Sequence, residues 1–391
     1  MIRQLAKYKG KLAADGCAVS ERIAFLARDD ELLSDGPQEL VQLGAAILEQ
    51  LSAVSLVLAP LALPVGDLLI RRAPVGESSF VPRDTETRTF LHDIPFVRLE
   101  KGESPDPAAL AQLLRRRKGV IVEGVGIVAI GAFTPEQAYI HYCSVFHAAL
   151  VKYLLDLLHD GFSLAGEDEA FAALRDAWLQ PVTLEGVTFA DKGVAGREAI
   201  YAEIARVGRY TVEKGLVDSA FGNISWREGE TIYISQTGAH LDELEGYIDP
   251  VPSDNSSTAG VTASSELLAH RRIFEETGAR TILHGHPKLA VVISMLCEKS
   301  DCSVSDCWRN CPQVRQLEVT PIVAGEIGAG GLAEKVAPVI GERGRALVFG
   351  HGVFTLGRDG FAEAFNALVE VENWCRAEYL RRLEKRLQKD V

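Results

Sequence analysis

The sequence predicts an α/β chain of two tandem layered domains, and three observations carry the prediction. Helix-period and strand-like apolar stretches alternate along the chain. Its 391 residues, 47% hydrophobic and 24% charged, suffice for two domains with full cores. The third observation is internal similarity. Glu39 through Pro60 overlays Glu266 through Pro287 without a gap at a shift of 227, and Val122–Gly126 overlays Val348–Gly352 at a shift of 226. Gly131 then falls on Gly357, Ala138 on Ala364 and Tyr153 on Tyr379. The boundary is expected near residue 190, giving domains 1–190 and 191–391.

In the first copy, helical periodicity runs from Ile2 to Ala14, and an amphipathic stretch from Glu39 to Leu51 leads into a strand at Val54–Leu58. Beyond the polar stretch Glu100–Ser104, a helix over Pro107–Arg117 precedes a strand over Gly119–Val122. Thr134-Pro135-Glu136 is a helix start with proline at the first position, and apolar spacing continues to Leu158. His141 and His147 stand six apart in this helix, which does not place them on one face, so they are read as packing or surface residues. The segment Gly161–Gly193 bridges the copies, with Gly166-Glu167-Asp168-Glu169 read as a solvated turn.

The second copy opens with a helix over about Ala199–Lys214, followed by a loop over Ser219–Ser225. Gly222 there permits close backbone approach, and Asn223 offers both a donor and an acceptor. Thr231–Ser235 alternates as a strand, and Thr237-Gly238 forms a turn whose N–H groups suit anionic oxygens. Ser253–Gly260 is polar and is read as a surface loop or a lid. Ser264 and Ser265 stand where a helix carrying Leu267, Leu268 and Ile273 would begin, so they are expected to cap it, with Glu266 in its first turn. A long C-terminal helix from Gly360 to about Lys389 carries a broad apolar stripe of core or oligomer-contact character.

Thr281-Ile282-Leu283 reads as a buried strand, and strand alternation puts His284 and His286 on one face. A third histidine, His351, follows the strand-like run Ala346–Phe349 in a glycine-flanked turn. Three neutral imidazoles with an open position are what a catalytic zinc ion requires. In the first copy these positions hold Val57, Ala59 and Val125, which offer no lone pair, and only Glu39 stands opposite Glu266. The interval from Gly16 to Glu39 is also too short for the loops over 219–238, so this copy is expected to have neither a metal nor a phosphate pocket.

The motifs Gly222-Asn223-Ile224-Ser225, Thr237-Gly238, Ser264-Ser265-Glu266, His284-Gly285-His286 and His351-Gly352 together resemble the class II aldolase/adducin family, over about residues 195–385. The resemblance implies tandem α/β/α domains, each with a central, mostly antiparallel sheet flanked by helices. It implies zinc on His284, His286 and His351, Glu266 as acid/base, and Asn223, Thr237, Gly238, Ser264 and Ser265 cradling a substrate phosphate. The expected activity is zinc-dependent aldol cleavage or formation of a phosphorylated ketose through a metal-stabilised enediolate. Epimerisation, dehydration or decarboxylation on the same site is the alternative, and a non-catalytic, adducin-like assembly module is another. Subunits of this family form rings, so a homo-oligomer is expected, a tetramer or a dimer imitating one, with Tyr379 a possible match to a tyrosine that reaches a neighbouring site.

A net charge of −13 argues against nucleic-acid partners and against anionic membranes, and no run of 18 apolar residues is present. The start lacks the apolar core of a signal peptide, so a cytoplasmic location is expected. Seven cysteines, an odd number, fit a reducing compartment. Four of them, Cys297, Cys302, Cys307 and Cys311, cluster closely enough to raise a second metal, an iron–sulfur cluster or a thiol at the mouth of the site, or equally a loop whose thiols share no duty.

Overall fold

Two mixed sheets, each flanked by helices, organise the chain in this computed structural model, which describes residues 1–100, 102–190, 193–218, 220–254, 256–299, 302–304, 306–325 and 329–388. Of the positions singled out above, Ser219, Lys389 and the side chain of Cys307 lie outside the described residues. Two compact units result. The first takes Met1–Arg83, Thr87–Gln180 and the residues from Leu383 on; the second takes Pro181–Arg382 together with Asp84–Glu86.

The first sheet consists of β1 (Ala24–Arg28), β2 (Leu32–Asp35), β3 (Ser55–Ala59), β4 (Ser79–Phe80), β5 (Ile94–Val97), β6 (Gly119–Val122) and β7 (Gly126–Gly131), in the order β2-β1-β3-β7-β6-β5-β4. The second consists of β8 (Asn223–Glu228), β9 (Thr231–Ser235), β10 (Ile248–Pro252), β11 (Thr281–Gly285), β12 (Arg315–Leu317), β13 (Thr320–Val323), β14 (Arg345–Val348) and β15 (Gly352–Gly357). Its order is β10-β9-β8-β11-β15-β14-β13-β12. Without β10 the two orders are the same, and each sheet is antiparallel apart from one parallel pair at the same place, β5 with β6 and β13 with β14. The repeat expected from sequence is therefore present as topology.

Register corrects the expected alignment by one residue. Ser55 pairs with Gly131 as Thr281 pairs with Gly357, a shift of 226, so Leu58 and Pro60 stand where His284 and His286 stand, not Val57 and Ala59. A side-chain brace fixes this register in both copies: Ser55 Oγ donates to Thr134 O at 2.7 Å, and Thr281 Oγ1 donates to Gly360 O at 3.0 Å. The adjacent helices Gln38–Leu48 and Leu267–Thr277 reach their strands through connections of different length, which is why an ungapped overlay slips. Val125 remains the counterpart of His351, since β6 and β14 also differ by 226.

Apolar faces explain the layers. Leu40, Ile47, Leu110 and Leu114 from helices Gln38–Leu48 and Pro107–Leu114 pack on Leu26, Leu56 and Val120. In the second unit Ile273 and Phe274 of helix Leu267–Thr277 and Leu332, Val336 and Ile340 of helix Ala329–Ile340 cover Ile234, Ile282 and Phe354. Thr134 caps helix Pro135–Asp160 by accepting from Gln137 N at 3.2 Å. Near the site, helix Lys288–Ser294 has no side-chain cap of its own; the fully buried carboxylate of Glu372 accepts from Ala290 N at 3.0 Å and holds its start.

Three further expectations change. Gly166–Glu169 is not a solvated turn but the start of helix Glu167–Trp178, because Glu167 is buried against Arg72, with Nε to Oε1 at 2.5 Å. Ser163 and Leu164 also donate to its carboxylate. Tyr379 is fully buried, so its ring fills its own core and does not reach a neighbour. Leu268 is exposed, and the buried face of helix Leu267–Thr277 is Ala269, His270, Ile273 and Phe274. No helix among the described residues is long and apolar enough to cross a membrane.

Candidate active site

Three chain segments converge at the middle of the second sheet. His284 lies on the central strand β11, paired with Asn223 on β8 and with Phe354 on β15. His286 follows it where the strand ends, and His351 sits in the turn between β14 and β15. The three buried imidazoles offer nitrogens all within 4.8 Å of one another. His284 Nε2 and His286 Nε2 are 2.9 Å apart, while His284 Nδ1 lies 3.1 Å from Val353 O, which fixes the ring with Nδ1–H outward and Nε2 facing the cluster.

Close approach of backbone requires glycine at two positions. At Gly222, φ is +74° and a Cβ would stand 2.5 Å from His284 O. At Gly352 a Cβ would stand 2.4 Å from Gly285 O, 2.7 Å from His286 and 2.9 Å from His284. Gly352→Ala should therefore push both rings apart, costing about 1–3 kcal/mol of stability and weakening metal binding. Urea denaturation and a zinc titration check this; wild-type values in both would contradict the packing.

Glu266 closes the cluster. It occupies the N-cap position of helix Leu267–Thr277, not its first turn, and neither serine caps the helix; Ser264 Oγ accepts from Glu266 N at 3.3 Å instead. The Glu266 carboxylate turns inward, where Oε2 accepts from Asn223 Nδ2 at 2.7 Å and lies 3.6 Å from His284 Nε2, and Oε1 lies 3.3 Å from His351 Nε2. Burial would raise the Glu266 pKa, but the charge of His284, the hydrogen bond and charge of His351 and the Asn223 amide hold it well below the usual carboxylate range. Burial lowers His284 to about 4 against the pull of Glu266. His351 is also buried, yet its bond to Glu266 and the charges of Glu86 and Glu266 leave its pKa raised. Glu86, counted with this unit, lies 3.5 Å from His351 Nδ1.

Residues 202–379 match the Class II Aldolase and Adducin N-terminal domain. This part of the chain belongs to that family. The chain is 24% identical over 179 residues to an L-fuculose phosphate aldolase of Methanococcus maripaludis, covering 46% of this chain and 95% of that protein. Among solved structures, the L-fuculose-1-phosphate aldolase of Thermus thermophilus is 24% identical, with a TM-score of 0.40, over 48% of this chain and 97% of that one. A sugar-phosphate aldolase of Thermotoga maritima is 21% identical, with a TM-score of 0.37, over 48% and 96%.

Within the class II aldolase domain, the residues expected around a phosphate are brought together in part. A bridge between Gln236 and Ala263 sets the Thr237-Gly238 turn beside Ser264; Thr237 N donates to Thr262 O at 3.0 Å and Ser264 N to Ser235 O at 2.9 Å. Thr237, Gly238 and Ser265 are exposed, and Gly238 has φ of +73° with open space around it. Asn223 is different: its amide is buried and bonded to Glu266 and His270. The donor set fits a divalent ion, because three buried imidazoles bring nitrogens within 4.8 Å of one another and the Glu266 carboxylate lies 3.6 Å from His284 Nε2.

Among the described residues the cysteines do not form a second such site. Cys297, Cys302 and Cys311 line a cavity of about 200 Å³ with Lys299, Arg315 and Phe349, and among the described residues the group close enough to share an ion is the histidine triad. Sequence reasoning missed Glu86, His270, and Lys288, whose buried ammonium donates to Asp218 at 2.7 Å. His270 carried a signal, standing four residues after Glu266 and so above it on the helix.

Below neutral pH His270 and His284 should each lower stability. His270 is pushed down to about 3 and His284 to about 4, both by burial first, whereas an unfolded histidine titrates near 6.5. Protons then bind the unfolded chain preferentially, so these contributions are complete above about pH 6.5 and are lost as pH falls toward 4 and 3. The slope is up to about 1.4 kcal/mol per pH unit for each ring. Urea denaturation of metal-free protein between pH 7 and 4 measures it, and His270→Phe should flatten it.

Proposed function

We propose that the class II aldolase domain catalyses proton transfer at the carbon beside the carbonyl of a phosphorylated ketose, and through it aldol cleavage or formation. The observation that supports this most directly is the Glu266 carboxylate set 3.6 Å from His284 Nε2 and 3.3 Å from His351 Nε2. His284, His286 and His351 would hold a zinc ion, and zinc, when bound, supplies the Lewis acidity that draws negative charge onto the substrate's oxygens.

The chain's own residues do the rest. Glu266 accepts the proton from the carbon, which needs a carboxylate oxygen about 3 Å from it. Its surroundings hold its pKa below the usual carboxylate range, which keeps it ionised at neutral pH. Thr237, Gly238, Ser264 and Ser265, adjacent through the Gln236–Ala263 bridge, would anchor the phosphate and so set which carbon meets Glu266. Asn223 serves Glu266 rather than the phosphate. The first sheet, with Leu58, Pro60 and Val125 at the ligand positions, carries no equivalent chemistry and is proposed to be a degenerate copy retained for packing.

The test is hydrogen exchange. Zinc-loaded full-length protein with dihydroxyacetone phosphate in heavy water should give stereospecific deuterium uptake at the hydroxyl-bearing carbon, read by NMR. No uptake with metal bound would sink the assignment for this donor and direct the search to epimerase, dehydratase and decarboxylase substrates. Purified protein that takes up no divalent metal would favour an assembly module instead.

A further inference from the structure

We propose that His270 is a positioning residue: as a neutral ring protonated at Nε2, it dictates which end of the Asn223 amide faces Glu266. This deepens the role proposed for Glu266 and rests on it for its effect on turnover.

Hydrogen-bond polarity forces the assignment from the carboxylate outward. Glu266 as a carboxylate only accepts, so the group 2.7 Å from its Oε2 must be the Asn223 NH₂. The two ends of an asparagine amide have nearly the same shape, so contact alone does not decide between them. With the NH₂ committed, Oδ1 faces His270 Nε2 at 2.5 Å and must receive a hydrogen, which places the ring proton on Nε2. Nδ1 is then bare, and the Ser225 hydroxyl, 2.6 Å away and fully buried, donates to it. Each of the four groups has a single role, and each role depends on the next.

Alternatives break the chain. Moving the proton to Nδ1 would leave Nε2 an acceptor, rotate the amide and set Asn223 Oδ1 against a carboxylate oxygen. A charged ring would donate at both ends and strip the fully buried Ser225 hydroxyl of its acceptor. Burial opposes that charge, and the ring is flanked by Phe274 and Phe354, with centroids at 6.5 and 6.0 Å. The lock begins on β8, where Ser225 and Asn223 share a face, and ends on helix Leu267–Thr277, so it ties sheet to helix at the proton-transfer group.

Full-length protein with ¹⁵N-histidine tests this, with His270 assigned by the signal missing from His270→Gln. The expected spectrum at pH 7 and at pH 5 is that of a neutral ring protonated at Nε2; a ring protonated at Nδ1, or a cation at pH 5, would overturn the proposal. A second readout is deuterium uptake. His270→Gln keeps an N–H near the Nε2 position and should retain most of the rate, whereas His270→Asn, whose amide ends near Nδ1, and His270→Phe should lose about 10-fold or more, a loss of the size seen when a hydrogen-bond partner that orients an active group is removed. Equal loss in Gln and Asn variants would count against the lock. The tautomer needs no turnover, so failure of the wild type to exchange deuterium would remove the proposed activity while the spectrum still decides the role of His270.

Discussion

Replacing Glu266 by Gln lowers deuterium uptake from the donor by about 10²–10⁴-fold, the span that a positioned acid/base contributes. The change is nearly isosteric, so the cause is chemical. The carboxylate is buried among His284, His351 and Asn223 and is held ionised by them, whereas an amide at the same place has no basic oxygen to offer the substrate carbon. The amide can still receive the Asn223 hydrogen bond, so the fold and the metal should survive. Circular dichroism and metal content, unchanged from wild type, would confirm that the loss is one of proton transfer. Uptake within a few-fold of wild type would show that another group takes the proton.

His284→Ala is expected to remove the metal. The ring is fully buried on the central strand, its Nδ1 is tied to Val353 O, and its Nε2 lies 2.9 Å from that of His286. Loss of a partner behind a metal ligand already costs about 10–100-fold in affinity, so loss of a ligand itself should exceed about 100-fold. Zinc content after gel filtration should fall from near stoichiometric to near zero. The double substitution Cys297→Ser, Cys302→Ser should leave it unchanged, since those thiols line a separate cavity. A stoichiometric ion in His284→Ala would sink the assignment to three imidazoles.

The histidine cluster was legible in the sequence because the spacing of His284 and His286 on a strand fixes their common face, and β11 begins at Thr281 as the apolar run suggested. Thr231–Ser235 and Gly119–Val122 were also read at the observed bounds, the first by alternation and the second by an unbroken apolar run. The unbroken run is also what hid the register of β3. Ser55–Ala59 is buried on both faces and carries no alternation, so sliding it by one residue changes nothing visible in the sequence. The slip is settled by Ser55 reaching Thr134, a contact across 79 positions. Glu167 was misread for the same kind of reason: a charge run looks solvated unless its partner, Arg72, 95 residues earlier, is known to face it. The inward turn of Glu266 was hidden too, because whether an acidic residue at a helix start bonds to its own backbone or to groups beyond depends on what those groups are.

The hydroxyl brace stands in both sheets, whereas the histidines stand in one. In a duplicated chain the two kinds of residue answer to different failures. Loss of a ligand in one copy would leave the other copy's site intact, but a lost brace would let its strand slide and would unfold the copy. Redundancy thus shelters chemistry and gives no shelter to architecture, and a mutational scan of the first copy should find Ser55 intolerant where Leu58 and Val125 accept many apolar exchanges.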